Sequence, residues 1–126
     1  MIVGTGVDIA EVGRIRATVE RFGDRFLQRV FTPAEVKYCM GKPNFAERLA
    51  ARFAAKEAGM KAIGTGQSRG VTWKSIEVVR YPGGRPTLRF TGKAAEIAEQ
   101  LGCKRAHLSL SHTADQAIAH VILESD

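Results

Sequence analysis

The hydrophobic and polar positions of the chain change period several times. Residues at about 2–9 are apolar and rich in β-formers, and predict a strand. Val12, Ile15, Val19 and Phe22 recur at three- and four-residue spacing. They predict an amphipathic helix at about 11–22, with Arg14, Thr18 and Arg21 on the opposite face. If that helix continued through Gly23, Arg25 would join the basic face. Shorter helices follow at about 24–30 and 33–40; Thr32-Pro33 with Glu35 supplies an N-cap, a first-turn proline and an acidic first turn. Asn44 as N-cap, with Glu47 as its capping-box partner, opens the longest helix, at about 45–62. Its core stripe is Leu49, Ala50, Phe53, Ala54, Met60 and Ile63. A glycine-rich loop then leads to a strand at about 72–80, a turn at Pro82-Gly-Gly84 and a strand from Pro86 to Phe90. A helix at about 92–101 ends at Gly102. A hairpin of Ala106–Ser111 and Ala117–Leu123 closes the chain. Helices grouped beside hairpin-linked strands indicate the α+β class, with a mainly antiparallel sheet packed against the long helix. At 126 residues this is a single domain.

Composition narrows the function classes. The net charge of +6 implies an anionic partner. The N-terminal segment is too short and uncharged for a signal peptide, and no apolar run is long enough to span a bilayer. Cys39 and Cys103 form neither a disulfide framework nor a metal-ligand pattern, so they read as reduced thiols of a cytoplasmic protein.

Two carboxylates stand where propensity disfavours them. Glu57 falls on the apolar stripe of the long helix, four residues after Phe53 and four before Lys61. A buried carboxylate needs a cation or donors, and either Lys61 or a metal ion meets that need. Asp8 lies near the end of the first strand, on the same face as Gly4 and Gly6. It reads as a helix cap or a metal ligand. The glycines would let another backbone or a ligand approach that face closely. Arg48, Arg52 and Lys56 form one ridge on the long helix, followed by Lys61; like charges in a row call for an anion or for solvent. The loop Gly64-Thr65-Gly66 offers either backbone N–H groups to phosphate or an ordinary helix C-cap. His107 and His120 alternate with apolar residues and read as sheet residues. Trp73 and Tyr81 read as packing residues.

The run Gly6-Val-Asp8-Ile, followed by Phe53-x-x-Lys56-Glu57-Ala58-x-x-Lys61-Ala62-x-Gly64-x-Gly66, resembles the two-part signature of the 4′-phosphopantetheinyl transferases. Gly84-Arg85-Pro86, Phe90-x-Gly92-x-Ala94 and His107-Leu-Ser109-Leu-Ser111-His112-Thr113 extend the resemblance to essentially the whole chain, and to the short holo-acyl-carrier-protein synthase branch. The resemblance implies transfer of 4′-phosphopantetheine from coenzyme A to a serine of an acyl carrier protein, in fatty acid biosynthesis. It implies Mg²⁺ on Asp8 and Glu57, phosphate binding and catalysis by Lys61, and the serine proton passing to Glu57 or to a water. Arg52, Lys56, Gly64, Thr65, Gly66, Pro86, Ser111, His112 and Thr113 would complete the coenzyme A contacts. Arg14, Arg21 and Arg25 would meet the acidic carrier protein. The short branch also implies a homotrimer with active sites at subunit interfaces.

A different class of function fits the charge: a basic module that binds nucleic acid without catalysis. The chain has no aromatic RNA-binding signature, no zinc spacing and no helix-turn-helix, and that reading leaves Asp8 and Glu57 without a role. No nucleic-acid or membrane partner is therefore expected.

Overall fold

The computed structural model describes all 126 residues. Five strands and five helices follow in the order β1 (Ile2–Glu11), α1 (Val12–Phe22), α2 (Asp24–Val30), α3 (Pro33–Met40), α4 (Phe45–Ala62), β2 (Ile76–Arg80), β3 (Pro86–Phe90), α5 (Gly92–Gln100), β4 (Arg105–His112) and β5 (Gln116–Glu124). β1, β5 and β4 form an antiparallel sheet in that order, and β2 pairs with β3 in a separate antiparallel hairpin. The α+β expectation holds. β1 and β4 are the two edges of the larger sheet, with β5 between them.

α4 is the axis of the molecule. It packs against β1 and β5 and also touches α1, α3, β2 and β4. Seven of its eighteen residues are alanine, and every one of these is buried. Small side chains bring the helix down onto the sheet. A Cβ on Gly4 would overlap the carbonyl oxygen of Ala62, and one on Gly6 that of Ala58. The glycine face of β1 therefore receives a backbone, one of the two uses its composition allows. Two strand residues span about 6.8 Å and four helical residues about 6 Å, so successive inward positions of β1 meet successive turns of α4. Gly4 lies at Ala62 and Gly6 at Ala58, and Asp8, two residues on, comes beside Glu57 in the adjoining turn.

Several local expectations need correction. Asn44 makes no side-chain cap; its Oδ1 accepts from Arg48 Nε at 2.9 Å, while Glu47 pairs with Arg16. The predicted capping box forms instead at Thr32 and Glu35. The segment from Thr72 is not yet strand: Trp73–Ser75 is a 3₁₀ turn that stacks Trp73 on Phe53, with ring centroids 4.7 Å apart. Phe22 leaves the core stripe of α1 and is exposed, with the Arg21 guanidinium 5.2 Å from its ring centre. Tyr81 is exposed rather than packed. α1 ends at Gly23, whose φ of 54° breaks the helix, so Arg25 belongs to α2 and does not continue the face of Arg14 and Arg21.

Candidate active site

The structure brings Asp8, Glu57 and Lys61 together. Asp8 Oδ1 lies 3.4 Å from Lys61 Nζ, which also donates to the carbonyl oxygen of Val7 at 3.3 Å. Asp8 Oδ2 is buried and has no hydrogen-bond partner. Burial and the facing Asp8 carboxylate push the Glu57 carboxyl up to about 7, against the opposing pull of Lys61. Two carboxylates held this close are costly without a cation between them. An orphaned buried oxygen beside a second carboxylate fits a hard divalent ion. Two carboxylates without a third side-chain ligand suit Mg²⁺, which keeps waters and takes phosphate oxygens. The cap reading of Asp8 fails, since α1 starts at Val12 with no side-chain cap.

Lys56 is a correction. The ridge it shares with Arg48 and Arg52 suggested phosphate binding, but its ammonium is fully buried. Nζ lies 2.7 Å from Glu35 Oε1 and donates to the carbonyl oxygens of Ile76 and Trp73 at 2.7 and 3.1 Å. An ammonium has three donors, and all three are used. Glu35 is satisfied in turn by the backbone N–H groups of Thr32 and Val78. Burial pulls the Lys56 pKa down while Glu35 holds it up. No valence remains for a ligand.

The Gly64–Gly66 loop is also corrected. Gly64 N–H donates to Lys61 O, and those of Thr65 and Gly66 donate to Met60 O. With positive φ at both glycines, the loop is a helix C-cap, and its amides are committed to α4 rather than free for phosphate.

A second cluster lies at the β4 edge. Arg48, Arg52, Arg80, Arg85, Pro86 and His112 line a cavity of about 420 Å³. None of the four arginines has a carboxylate within salt-bridge distance. Tyr38 also lines the cavity; sequence reading missed it, together with Arg80 and Arg85 as ligand-facing groups. Burial pushes the Tyr38 pKa up, but Arg48, Arg52 and Arg80 together leave it lowered. Thr113 is spoken for, since its hydroxyl accepts from the backbone N–H groups of Asp115 and Gln116 in the hairpin turn. Ser111, one residue from His112, faces the other side of the sheet by strand alternation.

Within one chain the two clusters do not meet. Arg52 and Lys61 are nine residues apart on α4, which is about 13.5 Å along the axis and half a turn out of phase. Asp8 is on one edge strand of the sheet and His112 on the other. Arg14 and Arg21 are exposed on α1, as expected, and Arg25 is exposed on α2.

Comparison with known proteins shows the family and the fold. The family model of the 4′-phosphopantetheinyl transferase superfamily matches residues 4–121. The chain is 64% identical to the holo-[acyl-carrier-protein] synthase of Koribacter versatilis, covering 98% of this chain and 99% of that one. The crystal structure of holo-[acyl-carrier-protein] synthase from Neisseria meningitidis superposes with a TM-score of 0.88 at 34% identity, over 99% of this chain and 100% of that one. The Bacillus anthracis synthase, solved in complex with CoA (3′,5′-ADP), superposes with a TM-score of 0.81 at 38% identity, over 100% and 99%.

Proposed function

Because the chain belongs to the 4′-phosphopantetheinyl transferase superfamily, we propose that it is a holo-acyl-carrier-protein synthase acting in fatty acid biosynthesis. It transfers 4′-phosphopantetheine from coenzyme A to a serine hydroxyl of an acyl carrier protein. The serine oxygen attacks the phosphorus that bears pantetheine. The pyrophosphate bond breaks, and adenosine 3′,5′-bisphosphate leaves. The observation that carries this reading is the Asp8–Glu57 pair with its orphaned Asp8 Oδ2. Phosphoryl transfer asks the protein mainly for positioning and charge neutralisation. Asp8 and Glu57 would hold Mg²⁺, which when bound would supply charge neutralisation at the pyrophosphate. Lys61, exposed beside Asp8, binds a phosphate oxygen. Glu57 is this chain's own candidate to take the serine proton. The uncompensated arginines of the second cavity hold the nucleotide end of coenzyme A, with Pro86 and His112.

The two clusters lie toward opposite edges of the sheet, which suits a site shared between neighbouring copies. A head-to-tail ring, with the β1 edge of one copy toward the β4 edge of the next, would bring them together. The outer face of the sheet also offers apolar surface to a neighbouring copy, since Val7, Ile9 and Ile118 are exposed there, with Ile9 and Ile118 directly opposite each other. We take the ring to be the homotrimer that the sequence resemblance implies. Light scattering should give three times the 13.7 kDa chain mass; a stable, active monomer overturns it. No helix is long and apolar enough to cross a membrane.

Mass spectrometry tests the reaction. An apo carrier protein incubated with this protein, coenzyme A and Mg²⁺ should gain one phosphopantetheinyl mass. No gain, with wild-type protein folded, removes the reading.

A further inference from the structure

We propose that Tyr38 is the positioning residue of the coenzyme A site, acting through the arginines it holds; this rests on the transferase reading above. Four cations surround its ring. The Arg52 guanidinium carbon lies 4.3 Å from the ring centre, that of Arg48 5.1 Å, the Lys42 ammonium 5.7 Å and the Arg80 guanidinium 5.9 Å. The phenol oxygen accepts from Arg48 Nη1 at 2.7 Å. The other polar partners of these arginines are Asn44 Oδ1, which takes Arg48 Nε, and the carbonyl oxygen of Arg48, which takes Arg52 Nη1 at 3.4 Å.

Guanidiniums gathered without a carboxylate repel one another and would disperse into solvent. An acidic partner would gather them but neutralise the charge that a phosphate needs. An aromatic ring attracts cations through its quadrupole and leaves their net charge intact. Tyr38 therefore converges the arginines on the cavity before the ligand arrives. Preorganised donors spare the ligand the ordering cost of several long side chains. No sequence pattern marks this role, because Tyr38 sits on α3 and its arginines on α4 and β2.

The test uses the full chain with Tyr38→Leu and Tyr38→Phe, titration calorimetry with coenzyme A, steady-state kinetics and thermal melting. For Tyr38→Leu we expect coenzyme A affinity to fall and its KM to rise, each by about tenfold, the scale of one charged hydrogen bond with its cation–π contacts. kcat, the carrier KM and Tm should stay close to wild type. Tyr38→Phe, which keeps the ring, should recover most of the loss and leave about a two- to threefold rise in KM. If Tyr38→Leu binds coenzyme A as wild type does, the inference fails while the transferase reading stands. If kcat and both KM values shift together with a lower Tm, the residue is structural and the inference fails. If wild type itself binds no coenzyme A, the transferase reading falls and carries this inference with it.

Discussion

Lys56 and Glu57 are adjacent on α4 and face opposite situations. Lys56 enters a sealed pocket where Glu35 and two carbonyl oxygens use all of its protons. Glu57 turns toward β1, where Asp8 crowds it and one buried oxygen is left without a partner. The first region is closed and electrically complete. It ties α3 and the start of β2 to the central helix, and so sets how α4 lies on the molecule. The second is left incomplete, and an incomplete charged site stores affinity for a ligand. Removing a charge should therefore cost stability in the first region and activity in the second.

The largest expected effect tests the closed region. Lys56→Met should destabilise the protein by about 3–5 kcal/mol in urea unfolding, since it strands a buried Glu35 carboxylate. Glu35→Gln in the same chain should recover part of that loss. If Lys56→Met is as stable as wild type, the comparison breaks. In the open region, Asp8→Ala and Glu57→Ala should each lower transfer by about 10² or more, comparable to losing another electrostatic stabiliser. Both should remain folded by circular dichroism, because each relieves carboxylate crowding. Near-wild-type activity at saturating Mg²⁺ would remove that residue from the metal site.

The contact that aligns the two regions can be strained next. Gly6→Ala places a methyl on the carbonyl oxygen of Ala58 and should cost about 1–3 kcal/mol, as overpacking does, with a loss of activity as Asp8 moves from Glu57. Thermal melting and turnover measured together check it; an unchanged Tm would mean that α4 does not rest on this glycine. Lys61→Ala, in the open region, should lower kcat, while Arg52→Ala, in the arginine-lined cavity, should mainly raise the coenzyme A KM, by about tenfold or 1.4 kcal/mol. Unchanged coenzyme A kinetics in Arg52→Ala would remove it from the site. The smallest stability effect belongs to a surface outside both regions. Arg14→Glu with Arg21→Glu should leave stability within about ±0.5 kcal/mol per change. It should raise the carrier KM and spare the coenzyme A KM. Unimpaired carrier modification at low salt would place the docking surface elsewhere.

The sequence by itself determined the α+β class, the central helix, and the two carboxylates. These follow from local periodicity, and from residues standing where propensity disfavours them. Gly4 and Gly6 on one face of β1 marked a close approach by another backbone or a ligand, and the fold gives that place to the backbone of α4. The sequence also placed Lys56 in a phosphate ridge, because spacing along a helix cannot reveal a partner such as Glu35, twenty-one residues away on α3. It left the amides of Gly64–Gly66 open to two uses, and only the folded C-cap assigns them. Tyr38 went unnoticed because a ring becomes an organiser only when α3, α4 and β2 bring cations around it. Tertiary structure decided which charges are spent on one another and which remain free for a ligand, since burial and pairing depend on contacts between segments far apart in the chain.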